Sequence, residues 1–495
     1  MRLAIVGGGG AATALLAALT REQLPDIDVT VFESAKDIGP GRAYHPDSDS
    51  ALLNVPVGRM SLLPDMPGDF LEWVTTQVAA NGTAIRAAGP QDFLPRRLFG
   101  EYLAARADDI VGRMADHGRP VRVVTAAVTR ASIGPESICL HTDDGRQFDG
   151  QDRLVLCVGT GGPVDVHGLD GHAGYIQDPY PLWDRLAAVP KTAHVLVLGT
   201  GLTAVDTVLF LLENGHRGGI TMASRTGLLP AVRTNVPPPR LRHLSREAMS
   251  GALATDPVMT CARLMALVSK EIRAAGAEPG RAMADADPSE PFACRLKRQL
   301  RQARDGLGVW QSIVVQGTLD SIEQIWHAMP GPERQLFLSH WHQRYHSLLS
   351  PMPPRTAARL LAAAEEGRLH VRRGVSGVHE RQDALPRFSV STAEGRMTAD
   401  VVVNTIRPNA AAVPETAVPL VDSLVRSGAA RMHRFGGLDV DPGTNRLITA
   451  PGLEEPRAYA LGHLTAGVHY YTSSMLMIGR RARVIADQFL AELTP

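Results

Sequence analysis

An α/β fold assembled from two similar βαβ units is what this sequence predicts, and three observations carry the expectation. LAIVGGGGAATALLAAL, Leu3 to Leu19, reads as a buried strand, a glycine turn and an apolar helix. VLVLGTGLTAVDTVLFLL, Val195 to Leu212, repeats that design. Each is followed by another strand and later by short strands around an acidic–glycine turn, so the repeat operates at the level of whole domains.

The first unit opens with a strand over Leu3–Val6. Gly7, Gly9 and Ala12 then stand at G-x-G-x-x-G/A spacing. Gly7 suits the tight turn, Gly9 lets backbone approach a pyrophosphate, and Ala12 lets the helix pack on the strand. The helix start offers N–H groups and a positive dipole end. A second strand, Asp28-Val-Thr-Val-Phe, ends at Glu33, 26 positions after Gly7. A carboxylate there can accept bonds from the hydroxyls of an adenosine ribose. The complete unit in register points to FAD or NAD.

The second unit repeats the spacing with Gly199, Gly201 and Ala204. Counting 26 positions from Gly199 reaches Arg225, preceded by Ser224. An acid at this place repels the 2′-phosphate of NADP, whereas an arginine pairs with it. The first loop therefore suits FAD and the second NADPH. The competing reading of Arg225 is a solvated loop arginine.

Short strands follow each unit. In the first they lie around Val121–Val124 and Ser137–His141, with a turn at Asp143-Asp144-Gly145 and a buried strand LVLCVGTG. In the second they are RLHVRRG and Arg387–Ser391, with a turn at Glu394-Gly395 and a buried strand ADVVVNTIRP. Each set predicts a small antiparallel meander. Residues 240–365 carry helical periodicity, bounded by Pro237-Pro238-Pro239 and interrupted by Pro351 to Pro354. They predict a helical insertion, either a structural cover or a substrate-binding element. The expected division is an FAD-binding domain over 1–165, an NADPH-binding domain with the insertion over 166–399, and a return to the FAD-binding domain over 400–495.

Composition narrows the remaining classes. A chain of 495 residues is too long for one core. Its 51 basic and 51 acidic residues cancel, which argues against nucleic acid as a partner. Cys139, Cys157, Cys261 and Cys294 show no Cys-x-x-Cys spacing, which argues against a disulfide framework, a zinc site and a dithiol redox centre. Every apolar run long enough to span a membrane is broken by glycine, so no membrane partner is expected. The apolar N-terminus reads as a first strand rather than a leader, and the expected location is the cytoplasm.

The motifs GPGRAY (Gly39–Tyr44), LLNVPVGRMS (Leu52–Ser61), DFLPRRLFGEYL (Asp92–Leu103), GTGLTAVD (Gly199–Asp206), SRTGLLP (Ser224–Pro230) and AYALGHLTAGV (Ala458–Val468) are similar to those of a bacterial family described as FAD/NAD(P)-binding proteins. The two-domain plan resembles flavin monooxygenases acting on amines. The resemblance implies Gly7, Gly9, Ala12 and Glu33 on FAD. It implies Arg42, Asn54, Arg59 and Met60 near the flavin and pyrophosphate, and Gly462 where the last strand meets the flavin chain. His463 stands where many two-domain flavoproteins carry Asp, a departure at that contact. His469, Tyr470 and Tyr471 fall near the expected isoalloxazine, in a core, stacking or catalytic role. Arg96 and Arg97 are candidates for a phosphate or a substrate carboxylate, or are solvated.

The cofactor supplies the chemistry. With no cysteine pair for disulfide reduction, O2 is the expected acceptor. A C4a-hydroperoxyflavin would then pass one oxygen atom to a nucleophilic nitrogen or sulfur. The Baeyer–Villiger signature Phe-x-Gly-x-x-x-His-x-x-x-Trp is missing, so N-hydroxylation of a small amine or amino acid is the leading expectation. An NADPH:acceptor reductase and a non-catalytic flavin-binding protein are the alternatives.

Overall fold

The computed structural model describes the chain except residues 23–25, 36, 82–87, 382–384, 408–411 and 494–495. The chain begins with β1 (Arg2–Val6), α1 (Gly10–Leu19) and β2 (Asp28–Glu33). Helices α2 (Asp69–Asn81) and α3 (Arg96–Asp116) lead to β3 (Arg122–Thr125). A meander of Val128–Ile133, Ile138–Thr142 and Gln147–Gln151 precedes β4 (Arg153–Leu156). Next come β5 (Tyr175–Ile176), β6 (Val195–Leu198), α4 (Leu202–Glu213) and β7 (Ile220–Ser224). A run of helices from Arg246–Thr255 to Pro354–Glu365 includes α5 (His342–Leu349). Then follow β8 (Leu369–Arg373), a second meander over 377–399 and β9 (Val401–Asn404). The chain closes with β10 (Arg446–Ile448), β11 (Glu454–Ala460) and α6 (Met475–Leu493).

Contacts divide the chain into two units. One comprises Met1–Pro46, Val55–Gly162 and Pro408–Pro495, and the other Asp47–Asn54 and Pro163–Arg407. The division differs from the sequence reading in three places, the first being that the long segment of the second unit opens at Pro163 rather than at 166. The second unit runs on to 407 rather than 399, because β9 pairs in parallel with β6 on one side and β5 on the other. An apolar run such as Val401–Val403 looks the same in either sheet, and only pairing assigns it. Pro408, which ends the ADVVVNTIRP stretch, lies outside the described residues. Residues 47–54, placed by sequence in the first domain, group with the second unit.

In the first unit the sheet order is β10-β11-β4-β1-β2-β3. All neighbours are parallel except β10, which runs antiparallel to β11. Helix α1 is buried continuously from Ala12 to Leu19, because it packs on the sheet and against α6 and α3. A helix covered on every side can be apolar all round, which explains its alanine-rich, charge-free sequence. The meander turns its apolar side to Leu420, Val421 and Leu424 of the helix Val418–Arg426.

In the second unit five parallel strands take the order β8-β7-β6-β9-β5. From β6 the chain steps outward through β7 to β8, while β9 lies on the other side of β6. That reversal opens a crevice beyond the carboxyl ends of β6 and β9, where α/β sheets bind ligands. The helical insertion leaves after β7 and returns at β8. Its last helix starts on Pro354, where a missing N–H leaves no bond unmade.

Helix α5 is fastened to the segment after β7. The Ser347 hydroxyl donates to the Leu229 carbonyl at 2.8 Å, and the Ala231 N–H donates to the Ser347 carbonyl at 3.0 Å. Ser347 is buried, so Ser347→Ala leaves a carbonyl short of a partner. A loss of about 1 kcal/mol is expected, and chemical denaturation of the two proteins side by side checks it.

Candidate functional site

In the first unit the chain turns at Gly7, whose N–H donates to the Phe32 carbonyl at 2.8 Å. Gly7 has φ +98°, and a β-carbon there would overlap the Cys157 carbonyl. Both facts demand glycine. Gly9 precedes α1. Among the described residues no side chain caps this helix, and its first turn holds no acid. Its leading N–H groups and positive dipole end are therefore open to an anion. Ala12 is fully buried against the sheet.

The Gly39–Tyr44 loop folds back onto this turn. The Gly39 N–H donates to the Gly8 carbonyl at 2.8 Å, and a β-carbon on Gly9 would lie 3.3 Å from the Gly41 Cα. Gly41 thus belongs to the site, although the sequence reading passed over it. Arg42 follows in the turn Arg42–Tyr44 and is exposed. Glu33 ends β2. Its Oε2 accepts the Gly8 N–H at 2.6 Å, while Oε1 takes the Ala35 N–H at 2.9 Å and the Ser34 hydroxyl at 3.2 Å. A carboxylate has about four acceptor directions, so Oε2 retains one for a hydroxyl. Gly462 completes the cluster, since a β-carbon on it would lie 3.9 Å from the Ala11 Cβ.

The remaining first-unit candidates separate. Val57 and Gly58 donate to the Asp92 and Pro90 carbonyls at 2.9 and 3.0 Å, tying the LLNVPVGRMS loop to the start of DFLPRRLFGEYL. Arg59 is exposed and Met60 buried. Asn54 falls in the second unit instead, where its carbonyl accepts the Arg233 Nε at 2.7 Å. Arg97 forms an ion pair with Glu101 of its own helix at 2.8 Å. Arg96 lies near Tyr44: burial pushes the Tyr44 hydroxyl up to about 12, Arg96 opposes the rise, and Tyr471 adds to it. His469 is buried. Tyr470 has φ +59° and ψ −62° and centres a turn closed by the Tyr471 N–H on the His469 carbonyl at 2.7 Å. A γ-turn of this hand is strained by about 1–3 kcal/mol.

In the second unit Gly199 has φ +121°, and a β-carbon on it would overlap the Thr405 hydroxyl. Gly201 precedes α4. Among the described residues that helix also lacks a side-chain cap, and no acid stands in its first turn. A β-carbon on Gly201 would meet nothing within 4 Å. Ala204 is fully buried.

Strand register corrects the sequence count by one. Val6 faces Phe32 in the first sheet and Leu198 faces Ala223 in the second. Ser224, not Arg225, therefore occupies the place of Glu33. The Ser224 hydroxyl lies 3.0 Å from the Thr200 hydroxyl and accepts the Gly227 N–H at 2.9 Å. Arg225 is the next residue. It is exposed, and among the described residues no carboxylate forms an ion pair with it.

A family model described as FAD-NAD(P)-binding matches residues 4–161. That span contains β1, the first glycine loop, Glu33 and β4. Residues 4–161 are an FAD-NAD(P)-binding domain. The Gly7–Gly9 turn, the uncapped start of α1 and the Glu33 carboxylate are the features within it that fit a dinucleotide.

The FAD-NAD(P)-binding domain sits in a chain whose relatives extend well beyond it. The uncharacterized protein YdhS of Escherichia coli (strain K12) is 22% identical over 418 residues, 75% of this chain and 76% of that one. Among solved structures, the ornithine N-hydroxylase KtzI of Kutzneria sp. 744 aligns with TM-score 0.58 at 17% identity, over 99% of both chains. L-lysine 6-monooxygenase from Pseudomonas syringae aligns with TM-score 0.58 at 16% identity, over 100% of this chain and 99% of that one. The cadaverine monooxygenase DfoA of Erwinia amylovora, solved with FAD, aligns with TM-score 0.61 at 13% identity, over 99% and 94%. At these identities the likeness is one of fold, and it runs through both units.

Among the described residues all four cysteines are free, and no group of three His, Cys, Asp or Glu side chains could hold a metal ion. No described helix is long and apolar enough to cross a membrane.

Proposed function

We propose that the protein is an FAD- and NADPH-dependent oxidoreductase, and within that class a monooxygenase that N-hydroxylates a small amine or amino acid. One observation carries the cofactor assignment. The two glycine loops share their backbone plan, yet the strand beside the first ends in Glu33 and the strand beside the second in Ser224, with Arg225 directly after it. The first arrangement favours ribose hydroxyls and the second a 2′-phosphate.

In this reading the α1 N-terminus holds the FAD pyrophosphate and Glu33 the ribose, with Gly41 and Gly462 lining the dinucleotide. Arg42, Arg59 and Met60 belong to the same site. Gly199, Gly201 and Ala204 shape the coenzyme turn. Ser224 braces that turn and Arg225 binds the phosphate. Arg96, set beside Tyr44, is the candidate for a substrate carboxylate, and His469 and Tyr470 are candidates for substrate contact. Reduced FAD supplies the electrons that activate O2, and the protein's part is to bind, orient and exclude water. The fold-level likeness to amine and amino-acid hydroxylases supports the substrate class as an analogy.

NADPH oxidation, O2 uptake and peroxide release by purified protein against a panel of primary amines test the reading. The expected result is one amine that raises NADPH and O2 consumption together without matching peroxide. NADPH oxidation that needs a quinone or other acceptor and no O2 would make the protein a reductase. Bound flavin with no NADPH oxidation would make it a non-catalytic flavoprotein.

A further inference from the structure

The helical insertion brings charge to the mouth of the second glycine loop. Arg407 lies two residues beyond Thr405, whose hydroxyl donates to the Leu198 carbonyl at 2.6 Å and packs beside Gly199. The Arg407 Nη1 donates to His346 Nε2 of α5 at 2.8 Å. His342 stands one turn earlier on α5, its ring centroid 5.6 Å from that of His346. Helix α5 is held beside the loop after β7 by Ser347, and that same loop is bonded to Thr200 of the glycine turn through the Leu228 carbonyl at 2.8 Å. The insertion, the glycine turn and the end of β9 are therefore linked by direct bonds.

Electrostatics supports the geometry. Burial first, then Arg407, then Arg225 hold the His342 imidazole down to about 4. His342 thus feels an arginine from each flank of the glycine loop, Arg225 past β7 and Arg407 past β9. Burial, Arg407 and His342 push His346 down to about 3. His346 is accordingly neutral near pH 7, with Nε2 free to accept from the guanidinium.

We propose that Arg407, positioned by His346 of the insertion, is the pyrophosphate-binding arginine of the second dinucleotide site, facing the open N-terminus of α4. The inference rests on the reading of that site as a coenzyme site. A guanidinium offers two parallel N–H donors to a phosphate, and the α4 N-terminus offers backbone donors to the other face. Arg225 would read the 2′-phosphate and Arg407 the bridge. The role is distinct from that of Arg225, because a pyrophosphate is common to NADH and NADPH.

Two fragments separate the roles without any turnover. ADP-ribose carries the pyrophosphate and no 2′-phosphate, whereas 2′,5′-ADP carries the 2′-phosphate and no pyrophosphate. In titration calorimetry on flavin-loaded protein, Arg407→Ala is expected to weaken ADP-ribose about tenfold and 2′,5′-ADP much less. His346→Gln, whose amide oxygen can still accept, is expected to keep most of the ADP-ribose affinity, and His346→Leu to lose it as Arg407→Ala does. Circular dichroism of each variant confirms that it is folded. Unchanged ADP-ribose binding by folded Arg407→Ala overturns the inference alone, and equal losses in the two His346 variants overturn the positioning role. Failure of the wild-type protein to bind either fragment overturns this inference and the coenzyme reading together.

Discussion

Gly9→Glu protein is expected to purify colourless. A β-carbon at that position would lie 3.3 Å from the Gly41 Cα, tighter than the backbone of the Gly39–Tyr44 loop accepts without moving. The added carboxylate would stand at the start of α1, where the reading places a pyrophosphate and where no acid stands now. Two like charges brought together at a partly buried helix start reverse the attraction that the N–H groups supply. Absorbance near 450 nm and flavin released on denaturation measure the result. Gly9→Ala adds the β-carbon without the charge and should retain part of the flavin. Stoichiometric FAD with normal affinity in Gly9→Glu would place the flavin elsewhere.

Coenzyme preference gives the second large effect. Arg225 is exposed and forms no ion pair with a carboxylate among the described residues, so no competing partner has to be displaced. A charge-assisted bond to a phosphate is worth roughly 1.5–3 kcal/mol, about one to two orders of magnitude in affinity. Arg225→Ala should raise the Michaelis constant for NADPH by that factor and leave NADH almost unchanged. Ser224 has a different duty, since its hydroxyl serves Thr200 and Gly227. Ser224→Ala should therefore disturb the loop and weaken both coenzymes alike. Flavin reduction by each coenzyme in the two variants separates the cases. Equal losses with NADPH and NADH in Arg225→Ala would remove Arg225 from the 2′-phosphate.

What the sequence revealed is what is local along the chain. A strand, a glycine turn, a helix and a second strand lie within some thirty residues of one another, and both copies were legible, as was the helical insertion. Of the meanders only the strands at Ser137–His141 and Arg387–Ser391 were placed correctly, since Val121–Val124 and RLHVRRG extend the parallel sheets as β3 and β8. The count from Gly199 slipped by one because the two strands pair in different register: β2 and β7 both begin 21 positions past their first glycine, yet Leu3 faces Val29 whereas Val195 faces Ile220. Spacing alone cannot show this, whereas the pairing of Leu198 with Ala223 does. The repeat itself set ADVVVNTIRP beside the second unit, and the division at 399 cut β9 away from it because its valines suit any buried parallel strand. Arg407 and His346 stand 61 positions apart, with no periodic signal to join them. Arg97 shows the opposite case, because its i,i+4 partner Glu101 could have been read directly from the helix.

The first unit is interrupted, and a ribosome must deliver its pieces in order. β1, α1, β2 and β4 emerge early, but β4 gains its neighbour β11 and α1 its neighbour α6 only with the final segment. The second sheet has all five strands once β9 has been synthesised. The domain begun first is thus the last to close, and its apolar α1 waits through the translation of about 450 intervening residues. Chains of this kind depend on the middle domain folding by itself while the outer one is held open. Truncation near the C-terminus would consequently strip the flavin fold of an edge while sparing the sheet in the middle of the chain.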